Sequence, residues 1–246
     1  MNFLLDLHTH TLASGHAYST ITEMVHAAAM AGLHMLGITE HAPKMPGTCQ
    51  LYYFQNFKAI PRRMEGVELL FGAELNILNP EGAVDLPEDV LAGLDITVAS
   101  LHTPCIEPGG MEENTQAVIN VMKNPYINII GHPDDGRYPL DYEAVVTAAK
   151  ETKTLLEINN SSLNPKGFRK NTRINDIKML TLCKAMEVPV IVSSDAHFAG
   201  DVGRFPFARD VLKEVNFPEY LVANHKKELL FDTLAHKKNR SGFYRF

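Results

Sequence analysis

The chain alternates short apolar runs with longer amphipathic stretches, and this alternation limits its fold more than any other feature. Seven runs that are rich in leucine or β-branched residues predict strands at 3–8, 34–39, 67–75, 95–101, 127–131, 154–159 and 188–194. Helical spacing and capping signals predict helices at 21–32, 112–123, 141–152, 173–187 and 225–236. Strands that are separated by helices form parallel sheets with right-handed crossovers, so the sequence predicts an α/β fold.

A closed barrel and an open doubly wound sheet both satisfy this pattern. The 246 residues suit a single barrel, which uses roughly 250. No Gly-rich phosphate-binding motif follows the first strand, which disfavours a nucleotide-binding open sheet. No linker, repeat or shift in composition marks a boundary within 1–246. We therefore expect one domain, with loop-like inserts at 42–52 and 160–171 and a terminal tail at 236–246.

Charge and cysteine content disfavour several classes of protein. The net charge of −6 gives no positive footprint for nucleic acid or an anionic membrane. No run approaches the roughly 18–20 apolar residues that span a bilayer, and the first residues lack the basic region of a secretory leader, so we expect a cytoplasmic protein. Cys49, Cys105 and Cys183 have no C-x-x-C spacing and indicate free thiols.

Histidines are concentrated where the predicted strands end. Of the 11 in the chain, six lie at carboxyl ends of strands: His8, His10, His41, His102, His132 and His197. Glu74 and Asp195 end the third and seventh strands, and His16 lies in the first loop. Ligands bind at this edge of parallel sheets and barrels, so these residues are predicted to converge on one face.

Imidazoles and carboxylates together at one edge predict a metal site. A single histidine at a strand end is an ordinary loop residue, but six independent strand ends that supply His, Glu or Asp are not explained by chance. Such ligands without thiolate suit zinc, with manganese or iron as alternatives. Nine candidates exceed the four ligands of one zinc ion, so more than one ion is expected, and Glu74 can bridge two. Paired metals generate hydroxide near neutral pH, which predicts hydrolysis.

The motifs resemble those of the polymerase and histidinol phosphatase (PHP) family. The matching segments are H-T-H at 8–10, T-E-H at 39–41, A-E-L-N at 73–76, S-L-H at 100–102, G-H-P at 131–133 and S-D-A-H at 194–197. The single-domain bacterial phosphatases of this family are similar over essentially the whole chain. This resemblance implies a distorted seven-stranded (β/α)7 TIM-like barrel, a trinuclear centre of divalent ions and hydrolysis of small phosphomonoesters by metal-activated hydroxide. It also implies a homotrimer.

The resemblance further implies how the candidate ligands are shared among three ions. The first ion would be held by His8, His10, Glu74 and Asp195, the second by Glu74, His102 and His132, and the third by His16, His41 and His197. Glu74, Asp195 and His197 would be the catalytic residues. The family often has Asp where this chain has Glu40, so any supporting role of that position is left open.

Other polar residues near the strand ends have two interpretations each. Four basic residues follow the sixth strand: Lys166, Arg169, Lys170 and Arg173. We expect Arg169 and Arg173 to bind the substrate phosphate, and a solvated charge run is the alternative. Asp6 either orients a ligand imidazole or is an ordinary turn or salt-bridge group. Asn159 and Asn160 either contact substrate or ligands, or cap a loop.

Three other functions use similar residues. The main alternative is a metal-dependent nuclease or phosphodiesterase acting on nucleic acid ends, although the charge of −6 does not favour a polyanion. An amidohydrolase usually has a bridging carboxylated lysine, and no lysine ends a predicted strand. A non-catalytic metal protein needs closed coordination spheres, whereas the second and third ions would keep open positions. Metal ligands are shared by enzymes with different substrates, so the ligand set does not choose the phosphoester.

Overall fold

Seven parallel strands lie side by side in chain order and form a nearly closed barrel. The computed structural model describes residues 3–237. Its strands are β1 (Leu5–Asp6), β2 (Met35–His41), β3 (Arg63–Met64), β4 (Val67–Asn76), β5 (Ile96–Ser100), β6 (Ile129–Ile130), β7 (Leu155–Asn159) and β8 (Val190–Ser193). The short β3 pairs antiparallel with β4 outside this series. The predicted (β/α)7 barrel is therefore confirmed.

Helices connect the strands around the barrel. They are α1 (Ile21–Met30), α2 (Leu51–Gln55), α3 (Glu88–Leu91), α4 (Met111–Met122), α5 (Tyr142–Thr152), α6 (Thr172–Met186), α7 (Pro206–Glu214) and α8 (Lys227–His236). Each of the five predicted helices is present with ends that differ by at most two residues. The sequence does not predict α2, α3 or α7, because the first two are too short to show a helical period. None of the described helices is long and apolar enough to cross a membrane.

Two strands are shorter than predicted. β1 and β6 have two residues each, where the sequence predicts 3–8 and 127–131. Beyond β1 the continuous ladder stops, and Thr9 forms only an isolated bridge to Ala196. The predicted loop 160–171 contains no helix or strand, whereas α2 begins within the predicted loop 42–52. Residues 238–246 of the predicted tail lie outside the described residues.

Side chains connect β1 and β8, where the barrel lacks a continuous ladder. The Asn224 amide donates to one carbonyl of each strand, at 2.8 and 2.6 Å. The Asp6 carboxylate accepts from the backbone N–H groups of Ser194 and Gly203, both at 3.0 Å. Asp6 therefore holds the seam of the barrel, and its hydrogen bonds to backbone support the structural interpretation over imidazole orientation.

The barrel interior is aliphatic toward its amino end and polar toward its carboxyl end. All seven parallel strands place aliphatic residues in the interior cluster: Leu5, Met35, Leu70, Ile96, Val98, Ile129, Leu155 and Ile191. Leu230 and Leu234 of α8 pack against this cluster. Alternate residues of a strand share a face, so the positions four or six residues after these aliphatic side chains return to the interior at the carboxyl end. Glu74 and His41 reach the interior in this way.

Asp134 and Asp176 are two buried acids behind the barrel wall, between β6 and α6. Both are fully buried, and neither carboxylate oxygen of Asp176 has a hydrogen-bond partner among residues 3–237. Burial, followed by the charge of Asp134, raises the pKa of Asp176 well above its ordinary value. Burial raises the pKa of Asp134 to about 7. The folded protein therefore retains protons at neutral pH that the unfolded chain releases.

We expect Asp176→Asn to stabilise the protein at neutral and alkaline pH. Because the pKa of Asp176 is raised on folding, its contribution to stability is lost as pH rises from about 4, its unfolded value, through the folded pKa. The melting temperature of the variant should exceed that of wild type by about 2–6 °C at pH 8, with a smaller difference at pH 5. Calorimetry in the presence of a chelator measures this. Asp210→Asn, at an exposed position of α7, is the control, and an equal shift in both variants would contradict the expectation.

Candidate metal centre

Glu74 lies at the centre of a buried group of imidazoles. Its carboxylate is 1% exposed. Ring nitrogens of five histidines approach it: His8 (3.3 Å), His10 (3.5 Å), His41 (2.7 Å), His102 (3.1 Å) and His132 (3.0 Å). The Ser100 hydroxyl donates a 2.7 Å hydrogen bond to the same carboxylate. Four strand ends thus bring five imidazoles to the carboxylate that β4 supplies, as the strand pattern predicts.

Asp195 forms a second anionic position beside Glu74. Its Oδ1 lies 3.7 Å from His8 Nε2, 3.4 Å from His10 Nε2 and 3.5 Å from His197 Nδ1. On the outer side, His197 Nε2 lies 3.1 Å from His16 Nε2. All nine residues that the sequence singles out therefore meet at the carboxyl end of the barrel.

Two of these residues reach the cluster through an unusual backbone conformation. His132 and Asp195 have positive φ angles of 30° and 55°, a region that Asp and His adopt more readily than most residues. A side chain added at Gly131 would place its Cβ 2.2 Å from the Ser100 hydroxyl oxygen. The alternation of side chains along a strand does not place His132 and Asp195 in the cluster. Their positive φ angles do, together with the close packing at Gly131.

The outward nitrogens of the imidazoles are held by acceptors. His8 Nδ1 lies 2.7 Å from a Glu157 carboxylate oxygen, and His102 Nδ1 lies 2.7 Å from Asn76 Oδ1. The Asn76 NH2 donates to Asp85 at 2.6 Å, which leaves its Oδ1 as the acceptor toward His102. Each Nδ1 therefore carries the proton and donates it, so that the Nε2 lone pair faces the cluster.

Ser14 and Glu40 orient a third imidazole. The Ser14 hydroxyl has one proton, which it donates to Glu40 at 2.6 Å. Its oxygen accepts from the His41 backbone N–H at 3.0 Å and lies 3.1 Å from His10 Nδ1, which must then be the donor. Glu40 also accepts from the Thr11 backbone N–H at 3.0 Å. Glu40, where this chain departs from the family pattern, therefore supports His10 through Ser14.

The donor atoms that face the interior fit divalent metal ions. Several are buried without a hydrogen-bond partner in the described chain: His8 Nε2, His10 Nε2, His41 Nδ1, His102 Nε2 and Glu74 Oε2. Buried polar atoms normally have partners. Two ligands on a tetrahedral zinc ion lie about 3.3 Å apart. The 3.1 Å between His16 and His197 and the 3.4 Å between His10 and Asp195 match this separation.

Three overlapping sets of ligand atoms lie within 4.8 Å of one another. They are His8, His10 and Glu74; His41, Glu74 and His102; and His10, His41 and His197. These sets differ in two ways from those that the family resemblance implies. His41 is grouped with Glu74, and His10 is grouped with His197. Each set shares one residue with each of the others, namely His10, His41 or Glu74, so the three sets are adjacent. The assignment of nine ligands to three ions stays a prediction.

Electrostatics favours the ligating forms of two of the central groups. Burial raises the pKa of Glu74, but the nearby imidazoles, His102 first, lower it more, so this pKa stays well below the ordinary value. Burial and neighbouring imidazoles hold the pKa of His10 well below its usual range. For His8, burial lowers the pKa, but the charges of Glu157 and other carboxylates raise it well above the ordinary value. Protonation of His8 therefore competes with metal binding, because the same carboxylates stabilise either a proton on His8 or a metal cation.

A cavity of about 470 Å³ opens beside the cluster. Arg169 lines it, with a side chain that is 9% exposed, and its Nη1 lies 3.2 Å from an Asp195 carboxylate oxygen. Arg173 pairs instead with Glu214 on the exposed side of α6. The structure thus brings Arg169 to the cluster and leaves Arg173 outside the cavity lining.

The two asparagines after β7 have different roles. The Asn159 NH2 donates to Glu157 at 2.9 Å and to Asp195 at 3.2 Å, which places it among the residues that support the ligands. Asn160 Oδ1 accepts from the Phe207 backbone N–H at 3.0 Å, so that it caps the first turn of α7.

The sequence did not assign a role to three residues that hold imidazoles, namely Ser14, Asn76 and Glu157. Only Glu157 has a recognisable signal, as the single charged residue in the apolar strand L-L-E-I-N. A carboxylate inside a buried strand requires a partner, and here the partner is His8.

The fold and the cluster define a (β/α)-barrel protein with a group of histidine and carboxylate side chains that could hold metal ions. Residues 6–203 match the PHP domain family. The chain is 46% identical over 238 residues to a probable phosphatase of Clostridium botulinum (strain Langeland), covering 96% of each chain. It is 48% identical over 243 residues to a probable phosphatase of Thermoanaerobacter sp. (strain X514), covering 98% of each. The chain therefore belongs to the PHP domain family.

Two solved structures share the fold at low sequence identity. One is histidinol phosphate phosphatase from Lactococcus lactis in complex with zinc, L-histidinol and phosphate, with a TM-score of 0.64 and 19% identity. It covers 87% of this chain and 94% of that chain. The other is an archaeal ribonuclease P with mature tRNA, with a TM-score of 0.57 and 16% identity, which covers 94% of this chain and 90% of that one. At these identities the two similarities establish the fold alone.

We expect Glu157→Gln to weaken metal binding and Asp6→Asn to preserve it. Loss of the Glu157 charge weakens the hold on His8 Nδ1, and such supporting groups typically change metal affinity 10–100-fold. Asp6 is equally buried but bonds the seam of the barrel, so Asp6→Asn should lower the melting temperature and leave metal affinity unchanged. Competition with a chromogenic chelator measures both affinities. Equal affinities in wild type and Glu157→Gln would contradict the role of Glu157.

Proposed function

We propose that the protein is a metal-dependent phosphatase that hydrolyses small phosphomonoesters, with residues 1–246 as a single catalytic domain. The observation that carries this proposal is the contact between Arg169 and Asp195, which joins an anion-binding group to the metal-binding cluster at one cavity. Two further findings support it. The relatives are named probable phosphatases, and the Lactococcus lactis structure contains zinc and phosphate.

Arg169 has the charge and the N–H donors that a phosphate requires. Its Nη1 donates to Asp195 Oδ2 at 3.2 Å and to the Ser162 hydroxyl oxygen at 3.4 Å. Its Nε is buried, makes no hydrogen bond in the described part of the chain and lies 3.9 Å from Asp135 Oδ2. A guanidinium in this state can donate to phosphate oxygens through a fixed planar edge. Arg169 therefore orients the phosphoryl group against the cluster.

The cluster would hold divalent ions, with zinc as the first choice and manganese or iron as alternatives. Such ions, when bound, activate water for attack and balance the charge of the phosphoryl oxygens. Three ions per chain are supported by the three overlapping ligand sets. We assign catalytic roles to Glu74, Asp195 and His197. Glu74 joins two of the ligand sets, whereas Asp195 and His197 line the cavity in which the ester would lie.

Hydrolysis of nucleic acid ends is the alternative activity. The net charge of −6 offers no counterpart to a polyanion, and the two relatives are named probable phosphatases. The homotrimer implied by the family resemblance stays a prediction, and light scattering of the purified protein tests it.

Removal of metal should abolish phosphate release from small phosphomonoesters. The unpartnered imidazole and carboxylate atoms have no other proposed function, so the apoprotein should be folded but inactive. Activity should return on addition of zinc, manganese or iron, with elemental analysis giving three ions per chain. A single-stranded oligonucleotide, tested on the same preparation, separates the nuclease alternative. Full turnover in a demonstrably metal-free sample would refute the proposal.

Arg169→Met should lower kcat/KM by about 10²-fold, the usual effect of removing one charge-stabilising donor. The metal content should be unchanged, because Asp195 keeps its charge when the guanidinium is removed. Arg173→Met is the matched control, since this residue comes from the same basic segment but pairs with the exposed Glu214. If Arg173→Met lowers kcat/KM as much as Arg169→Met does, the assignment of Arg169 is wrong.

A further inference from the structure

Phe168 is an exposed aromatic residue at the mouth of the cavity. Its side chain lines the cavity, yet the residue is 70% exposed to solvent. Phe168 lies in the loop 160–171, so it is separate from the strand ends that carry the metal ligands. A single exposed apolar side chain is ordinary, but Phe168 also lines the cavity that contains Arg169 and part of the metal-binding cluster. The metal chemistry makes no use of this ring.

Two fixed guanidinium groups hold the Phe168 ring. The Cζ atoms of Arg137 and Arg169 lie 4.9 and 5.4 Å from the ring centroid. Arg137 is itself held by a bidentate contact with Asp135, with Nε–Oδ1 at 3.1 Å and Nη2–Oδ2 at 2.6 Å. Arg169 is held by a single hydrogen bond from its Nη1 to Asp195 Oδ2, at 3.2 Å. Cation–π contacts from anchored arginines keep the ring in place while most of its surface stays accessible.

The cavity is larger than a phosphate group needs. Its 470 Å³ lies within the range of roughly 300–1,000 Å³ that is typical of sites for whole small-molecule ligands. Its lining includes histidines of the cluster and Arg169, which suit the phosphoryl group. It also includes the apolar side chains of Met45, Pro104 and Phe168, beside polar residues such as Ser161. The cavity therefore offers polar groups to the phosphate and apolar contacts to the alcohol.

We infer that Phe168 selects phosphomonoesters whose alcohol carries a flat aromatic ring, which stacks on the Phe168 ring. This inference rests on the proposed phosphatase function and adds the substrate class. Aromatic pairs prefer offset-stacked or edge-to-face arrangements, and they contribute beyond the burial of apolar area. An aromatic ring held in advance loses little freedom when it binds a second ring. Phe168 is thus a specificity-determining residue, whereas the metal ligands serve every phosphomonoester alike.

Matched substrates test the inference without changing the leaving-group chemistry. 2-Phenylethyl, 2-cyclohexylethyl and ethyl phosphate all release primary alkyl alcohols, and the first two have similar size. We expect kcat/KM for 2-phenylethyl phosphate to exceed that for 2-cyclohexylethyl phosphate by about tenfold. In Phe168→Leu this ratio should fall to about one, with kcat/KM for 2-phenylethyl phosphate reduced relative to that for ethyl phosphate. Phe168→Tyr should restore the ratio. Tyr52→Leu, which removes an aromatic side chain that is 73% exposed and outside this cavity lining, should keep it.

Binding of non-hydrolysable phosphonates separates this inference from the proposed function. 2-Phenylethylphosphonate should bind the metal-loaded protein about tenfold more tightly than 2-cyclohexylethylphosphonate, and Phe168→Leu should remove the difference. Ring-selective binding without turnover of any ester would refute the phosphatase and support the role of Phe168. Turnover or binding with equal preference for both rings, or an unchanged ratio in Phe168→Leu, would overturn the role of Phe168.

Discussion

Burial of the Glu74 carboxylate among five imidazoles is the interaction on which the rest of the site depends. A carboxylate that is taken out of water is costly unless hydrogen bonds or cations compensate it. Here the hydrogen bonds to Glu157, Asn76 and Ser14 fix protons on the far side of three rings, so that lone pairs face the carboxylate. Lone pairs and anionic oxygens repel one another without a cation between them. The same hydrogen bonds that complete the fold therefore prepare the centre for metal.

Much of the fold and the site could be predicted because strand periodicity acts locally. An aliphatic residue near the start of a buried strand determines which later residues share its face, and this rule delivers Glu74 and His41 to the interior. It does not deliver His132 and Asp195, which reach the cluster with positive φ angles of 30° and 55°. Nor does it pair Glu157 with His8, which lies 149 positions away in the sequence. Contacts between distant strands leave little signal in one sequence.

Arg169 and Arg173 show where local sequence stops being informative. Both belong to one basic segment, and they share charge and solvent preference. Between them Asn171, with a φ of 56°, directly precedes α6. Arg173 therefore lies in the first turn of this helix and pairs with Glu214, whereas Arg169 lines the cavity. The sequence predicts a basic loop near the phosphate. The turn at Asn171 determines which of the two guanidinium groups lines the cavity. Asp6 is a similar case, because its partners across the barrel seam are backbone groups that no motif encodes.

The site separates reaction chemistry from substrate choice along the barrel axis. Metal-binding side chains come from strand ends or the segments next to them, which the parallel ladder holds rigidly. The outer wall comes from loops, where Arg137 is anchored to Asp135 and Phe168 rests against two guanidiniums. Loops tolerate substitution more readily than a barrel does, so one metal centre can serve enzymes with different substrates. A change at Phe168 would then redirect specificity at little cost to the ligands, whereas a change at Glu157 would impair every reaction of the centre.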